Sequence, residues 1–337
     1  MRKTLITAVV ALTATGLTLM APSGAQASTT NITRLGGADR YATAVAISKS
    51  TFLTVVPADQ FDVMVASGAN FPDALAAGPV AASLGGPLLL VPSDGVLPAS
   101  VNAEFTRLNP FNVGIAGGTS SVSNFVQSQL DNLLSSGSGP SVRLAGQNRY
   151  ETAALLADSI FPTPSTIFIS TGASFPDAVG GSAAAGHLGG SLMLTDRSVL
   201  SDATAAELTL AKPSKVVILG GTAVVDPSIL TQIQALLPTA TVERWSGADR
   251  YATAAEISHH TYPTATKVYL ASGASFPDAL AGAPAAAHDG APLLLTSKDC
   301  VPASTLTELT RLGATDIVVL GGTAAVSDAA AILTPCA

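Results

Sequence analysis

The chain has 337 residues, of which 47% are hydrophobic and only 12% charged, and its formal net charge is -7. So apolar a composition excludes a disordered chain, which combines low hydrophobicity with dense charge. Its acidity and its 5% aromatic content also exclude the basic surface on which nucleic-acid binding rests.

In chain order, the first feature is a leader. Met1, Arg2 and Lys3 make a short positive start, an apolar run follows through Met20, and Ala25 and Ala27 frame a cleavage position before Ser28. This is the pattern of a secretory signal peptide over residues 1–27. The run is short for a membrane anchor, and no later segment approaches the roughly 18 unbroken apolar residues that a span needs. Arg2 and Lys3 leave with the leader, so 14 of the 16 bases then face all 23 acids.

The next feature is a repeat. RLGGADRYATAVAIS begins at Arg34, RLAGQNRYETAALLA at Arg143 and RWSGADRYATAAEIS at Arg244. A second block follows each: ASGANFPDALAAGPVAAS from Ala66, STGASFPDAVGGSAAAGH from Ser170 and ASGASFPDALAGAPAAAH from Ala271. A third block closes each: GIAGGTSSVS from Gly114, VILGGTAVVD from Val217 and VVLGGTAAVS from Val318. The opening arginines stand 109 and then 101 residues apart, and part of the difference lies in the linker-like SSGSGP from Ser135. A solenoid unit runs about 20 to 50 residues, whereas about 100 suits a small domain. Three tandem domains are therefore expected, at residues 28–138, 139–239 and 240–337.

The middle unit shows the predicted elements. SVRLAG reads as a strand, and NRYETAALLADSIF as a helix with Ala153, Leu156 and Ile160 at helical spacing. STIFIST is a β-branched strand. FPDAVGGSAAAGHLG is a helix, opened by Pro176 and ended by glycine. SLMLT is a strand, SDATAAELTLA a helix with an acidic first turn, KVVILGG a strand stopped by glycine, and DPSILTQIQALL a helix begun by proline. Alternating strands and helices imply an α/β domain with a parallel sheet covered on both faces. Right-handed crossovers make it doubly wound, of flavodoxin-like or Rossmann-like type.

Ligands of such sheets bind outside the carboxyl ends of the strands. Two loops of each unit lie there, S/T-G-A-x-F-P-D and G-G-T, each leading to a helix N-terminus. Asp73, Asp177 and Asp278 recur in the first loop. Proline and aspartate there are ordinary helix starters, with the phenylalanine as a staple, and the alternative is a part in a ligand or inter-domain site. The G-G-T loop lacks both nucleotide-binding glycine patterns. Of nine arginines past the leader, six are paired: Arg34 with Arg40, Arg143 with Arg149, Arg244 with Arg250. Guanidinium groups suit bidentate capture of carboxylate or phosphate. The alternative is an internal ion pair, for which Asp39 and Asp249 stand ready, although Asn148 replaces them in the middle unit.

His187, His259, His260 and His288 do not recur in all three units, and no G-x-S-x-G or H-E-x-x-H is present. No loop offers a second recurring acid for a glycosidase pair. No catalytic residue, cofactor or metal site is expected. Cys300 and Cys336 form an even pair in a chain read as secreted, which points to one structural disulfide.

Together, R-[LW]-x-G-x-[DN]-R-Y-x-T-A, S/T-G-A-x-F-P-D-A and G-G-T in threefold order resemble the cell wall binding repeat 2 family, over nearly all of residues 28–337. The resemblance implies three tandem Rossmann-like or Toprim-like modules around a pseudo-threefold axis. It implies a protein of the cell surface, held noncovalently on the cell wall by anionic secondary polymers or peptidoglycan. The family's apolar polymer-binding stretch matches PLLL at Pro87–Leu90 and Pro292–Leu295, so Leu88, Leu89, Leu293 and Leu294 join the six arginines and three aspartates as expected ligand contacts. The middle unit reads SLML at Ser191–Leu194, and this, with Asn148, marks it as the weakened module. An acidic protein on an anionic polymer needs local basic grooves, or a divalent cation bridging through the aspartates. Two other readings stay open: a wall hydrolase of the amidase kind, and a structural surface-layer or adhesion protein.

Overall fold

The structure, a computed structural model, describes residues 30–54, 61–134 and 137–337. The expected leader lies outside these residues, as do two positions of the expected linker. Strands and helices alternate throughout. In the first third, β1 (Asn31–Leu35), α1 (Arg40–Thr51), β2 (Val63–Ser67), α2 (Pro72–Ser83), β3 (Leu88–Val91), α3 (Ala99–Leu108), β4 (Val113–Ala116) and α4 (Asn124–Asp131) follow one another. The second third repeats the order as β5 (Val142–Leu144), α5 (Arg149–Ile160), β6 (Thr166–Thr171), α6 (Pro176–His187), β7 (Ser191–Thr195), α7 (Asp202–Ala211), β8 (Lys215–Leu219) and α8 (Pro227–Leu236). The last comprises β9 (Thr241–Trp245), α9 (Arg250–Thr261), β10 (Lys267–Ser272), α10 (Pro277–His288), β11 (Leu293–Thr296), α11 (Ala303–Leu312), β12 (Asp316–Leu320) and α12 (Asp328–Ala331).

The local chemistry explains these boundaries. Asp39, Asn148 and Asp249 are helix N-caps: each side chain accepts from the backbone N–H groups of the first turn. This corrects the ion-pair expectation for Asp39 and Asp249, and it explains why asparagine serves equally in the middle unit. Pro72, Pro176 and Pro277 open α2, α6 and α10, each with an aspartate in its first turn.

The strands assort into three parallel sheets, ordered β3-β2-β4-β5, β7-β6-β8-β9 and β11-β10-β12-β1. This matches the opening of the flavodoxin-like order, with a switch point between the first two central strands. Each fourth strand comes from the sequence repeat that follows. For the third sheet it comes from the chain's beginning: Asn31 to Leu35 run in register with Asp316 to Leu320. The three units therefore interlock as a closed ring.

Each sheet is buried on both faces. One face packs on a private layer, such as Val63, Val65, Leu89, Val101 and Phe105 in the first unit. The opposite faces of all three share one core through α2, α6 and α10. These helices approach closely because they are built of small residues. A Cβ on Gly186 would lie 2.7 Å from the Ala82 Cβ and 3.0 Å from that of Ala287. At the helix starts, Phe71, Phe175 and Phe276 form a triangle of rings with centroids 5.7 to 6.0 Å apart, which marks the pseudo-threefold axis. Cys300 and Cys336 are joined in a disulfide, beside a parallel bridge between Val301 and Pro335. Among the described residues, no helix is long and apolar enough to cross a membrane.

Candidate functional site

The loops that follow β2 and β4 leave the sheet at its switch point, and the loop after β5, from the next repeat, closes against them. A cleft of about 270 Å³ lies at this junction, lined by Asp73, Ser121, Gly146, Asn148, Arg149 and Thr152 among others. The second junction repeats it at about 250 Å³, with Asp177, Gly221, Gly247, Asp249, Arg250 and Thr253. At the third junction Asp278 meets Thr43 and Arg40. The site thus belongs to pairs of neighbouring units: the carboxylate comes from one and the guanidinium from the next.

Each aspartate sits in the first turn of its helix, where the dipole favours an anion. Burial nevertheless pushes the carboxyls of Asp73, Asp177 and Asp278 above the ordinary range. Two effects oppose it: a hydrogen bond from Ser121, Thr253 or Thr43, and the charge of Arg149, Arg250 or Arg40. Ser121 Oγ donates to Asp73 Oδ2 at 2.8 Å. The threonines are themselves anchored, because Gly37, Gly146 and Gly247 each donate a backbone N–H to Thr43, Thr152 or Thr253 Oγ1 at 3.1 Å.

The first glycine of G-G-T has a steric role here. Gly117, Gly220 and Gly321 have φ of +102°, +95° and +96°, and a Cβ on them would lie 2.2 to 2.4 Å from the aspartate Oδ2. Glycine lets the carboxylate close onto the loop.

The structure divides the six arginines into two sets. Arg40, Arg149 and Arg250 open their helices at the clefts, and each Nη1 donates to the carbonyl of Gly68, Gly172 or Gly273. The charge of each of these arginines is felt by the neighbouring unit's aspartate. Arg34, Arg143 and Arg244 instead clamp the preceding unit. Their Nη1 groups donate to the carbonyls of Gly321, Gly117 and Gly220 at 3.0, 2.8 and 2.7 Å. Their Nη2 groups bond Asp328, Gln127 and the Asp226 carbonyl.

Leu88, Leu89, Leu293 and Leu294 are at most 2% exposed, inside β3 and β11. As strand interiors of doubly covered sheets they present no surface to a polymer, which corrects the expectation of direct contact. None of the four histidines lines the two clefts, and two of them stack on aromatic rings: His187 on Tyr262 and His260 on Trp245, at 4.7 and 4.6 Å. Among the described residues, no three His, Cys, Asp or Glu converge to hold a metal. Sequence reasoning passed over Thr43, Thr152 and Thr253, although their threefold recurrence after the second arginine was a usable signal. The phenylalanine triangle was legible only as a staple.

Residues 34–127, 143–230 and 244–331 match the family described as Cell wall binding domain 2 (CWB2). The N-acetylmuramoyl-L-alanine amidase LytC of Bacillus subtilis (strain 168) is 30% identical over 313 residues, which cover 93% of this chain and 59% of that protein. The Amidase enhancer of the same organism is 30% identical over 271 residues, covering 80% and 35%. Among solved structures, Cwp6 from Clostridium difficile superposes with a TM-score of 0.79 at 28% identity, over 91% of this chain and 48% of its own. Cwp8 from the same organism gives 0.78 at 27%, over 89% and 50%. The chain therefore spans only part of each of these relatives.

Proposed function

The chain belongs to the cell wall binding domain 2 family, and from that premise we propose that it is a secreted, non-catalytic protein held noncovalently on the cell wall by anionic secondary polymers. The units that do this are residues 28–138, 139–239 and 240–337, each lending its first strand to the unit before it. The contacts are Arg40, Arg149 and Arg250, with Asp73, Asp177 and Asp278 setting the charge of each cleft. Arg34, Arg143 and Arg244 hold the junctions that shape the clefts, and Leu88, Leu89, Leu293 and Leu294 act on binding only through the strands they fill.

One observation carries this reading: the same Asp–Arg juxtaposition at successive unit junctions of a ring. A guanidinium beside an open cleft captures phosphate or carboxylate through charge-assisted hydrogen bonds. One such cleft binds weakly, and three on one rigid body gain avidity through effective concentration, provided that one polymer can reach them all. A protein with 14 bases against 23 acids past its leader then binds a polyanion only where these guanidinium groups lie. The amidase activity named for one relative belongs to a protein of which this chain spans 59%.

The test is cosedimentation of residues 28–337 with purified cell walls, before and after acid extraction of the secondary polymers. Binding that disappears on extraction, with no fall in wall turbidity, is the expected result. Equal binding to stripped walls would redirect the reading to peptidoglycan, and clearing of the wall suspension would redirect it to hydrolysis.

A further inference from the structure

The third helix of each unit carries a glutamate at the same position, and in two units that glutamate is fully engaged. Glu104 accepts from Ser48 Oγ at 2.6 Å and from Arg107 Nε and Nη2 at 2.8 and 2.6 Å. Glu308 accepts from Ser258 Oγ at 2.6 Å and from Arg311 Nε and Nη2 at 2.7 and 2.6 Å. Both guanidinium groups also cap the end of the unit's first helix. Arg107 donates to the carbonyls of Phe52 and Leu53, and Arg311 to those of Tyr262 and Pro263. Two copies of the repeat thus show one cradle, a carboxylate and two carbonyls, filled by one guanidinium.

The middle unit keeps the glutamate and lacks the guanidinium. Glu207 occupies the glutamate position and is 6% exposed, but Ala157 stands where the serine was and Leu210 where the arginine was. Its Oε1 is buried with no hydrogen-bond partner. Phe161 and Pro162 follow α5 as Phe52 and Leu53 follow α1. A cleft of about 290 Å³ opens here between α5 and α7, walled by Ala154, Leu155, Ala206 and Leu210 and flanked by Asp158 and Glu207. Asp158 stands where the other units carry Lys49 and His259. At both positions the middle unit thus lacks the basic side chain that the other two units carry. Leu155 and Leu210 are 38% and 64% exposed.

We propose that this cleft is a docking site for an arginine side chain of a partner protein, whose guanidinium fills in trans the position that Arg107 and Arg311 fill in their own units. An unpaired buried carboxylate is costly, and a planar fork of donors is the group its sister sites accept. The alanine and leucine walls suit the aliphatic stem of arginine, which packs on apolar surface while its head is paired. Charge complementarity selects a basic protein surface and rejects the anionic polymer, because Glu207 and Asp158 repel a polyanion. The site shares no lining residue with the wall-binding clefts, although Glu151 on its rim bonds Gln147 and Asn148 of the first one.

The test is a methyl NMR titration of the full chain with acetyl-Ala-Arg-Ala-amide and with its citrulline counterpart, which keeps the shape and loses the charge. Saturable one-to-one shifts at the Leu155, Ala206 and Leu210 methyls are expected with the arginine peptide, with at least tenfold weaker binding of the citrulline peptide. Leu210→Arg supplies the missing group in cis and should abolish the response, and Glu207→Gln should weaken it at least tenfold. Absence of saturable shifts, equal binding of the two peptides, or undiminished binding to a folded Leu210→Arg protein would overturn the proposal. None of these outcomes depends on whether the chain binds walls.

Discussion

Arg34 Nη1 donates to the Gly321 carbonyl at 3.0 Å and to the Val326 carbonyl at 2.8 Å, so the first strand is tied to the last G-G-T loop. Arg143 and Arg244 make the equivalent bond to Gly117 and Gly220. The arginine that opens each repeat therefore belongs to a junction. Replacing it by alanine orphans carbonyls that are shielded from water, at about 1 to 3 kcal/mol for each position. Arg34→Ala should cost most, because its Nη2 also pairs with Asp328 at 3.2 Å and its strand closes the ring. Thermal unfolding should fall by roughly 2 to 4 °C per kcal/mol lost, with wall binding intact below the transition. Arg34→Ala with unchanged stability and no wall binding would reverse the assignment.

The cleft arginines should behave in the opposite way. Arg149→Ala or Arg250→Ala removes the guanidinium beside a proposed polymer site and leaves the ring closure untouched. Each should weaken cosedimentation with walls by about tenfold, at about 1.4 kcal/mol, and the double variant by more than either, because avidity is lost with each site. A salt titration checks the cause: the wild type should lose affinity with ionic strength more steeply than the variants.

The way these roles separate shows what the sequence could and could not convey. The alternation of VVIL-type strands and proline-started helices is a local property, and it specified the element order. The choice of sheet is not local. The first strand of each repeat, RLGG, RLAG or RWSG, carries nearly the same side chains, so its pattern fits the edge of any of the three sheets. Only the ring geometry assigns β1 to β12. The burial of Leu88 and Leu89 follows from the same logic, because a run covered on both faces reads identically whether or not a ligand is near. Asp73 and Arg149 were each legible by recurrence, but their meeting across a unit boundary was not, being 76 residues apart in sequence.

The three cleft aspartates predict a pH dependence. Burial raises their carboxyl pKa above the ordinary value of 3.8, against the lowering by the Ser or Thr hydrogen bond and the arginine. A raised acid holds its proton more tightly when folded. The stability it contributes is therefore present at low pH and fades as pH rises from the unfolded value through the folded one. Acidification through that window also removes one negative charge from each cleft. A unit charge about 8 Å from a bound phosphate in water is worth about 0.5 kcal/mol, or roughly twofold per cleft. Wall binding should strengthen as pH falls toward the carboxylate range, and the Asp73→Asn, Asp177→Asn, Asp278→Asn triple variant should bind more tightly at neutral pH and lose that dependence. A triple variant with the wild-type pH profile would assign the titration to the polymer.

The disulfide predicts a redox-dependent stability. Cys300 and Cys336 are 36 residues apart, and their bond encloses α11, β12 and α12. The chain-entropy argument gives about 4 kcal/mol for a loop of that size. Reductant should lower the urea midpoint of the wild type, while the Cys300→Ser, Cys336→Ser variant should start low and be insensitive to it. Because β12 pairs with β1, loss of the bond should loosen the ring closure first, seen as faster amide exchange at Asn31–Leu35 than at β5 or β9.

The middle unit offers a paired prediction of opposite sign. Leu210→Arg places a guanidinium three residues after Glu207, the spacing at which Arg107 meets Glu104 and Arg311 meets Glu308. It satisfies a buried carboxylate oxygen that now has no partner and withdraws a leucine that is 64% exposed. Burial and the charge of Asp158 hold the Glu207 pKa above the usual range, so this carboxylate is strained in its ionised form. The substitution should stabilise the protein by about 1 to 2 kcal/mol. Arg107→Leu leaves Glu104, whose side chain is 0% exposed, with the Ser48 hydroxyl but no cation in the first unit, and should cost about 3 to 5 kcal/mol, because breaking a buried pair strands a charge. Adding Ala157→Ser to Leu210→Arg should raise stability further, since the hydroxyl completes the set of donors to the carboxylate seen with Ser48 and Ser258. The urea midpoints of these variants decide the matter. Should Leu210→Arg destabilise the chain while Arg107→Leu does so too, the middle cradle is not the geometric equal of its neighbours, and its open carboxylate is then a packing defect with no partner to explain it.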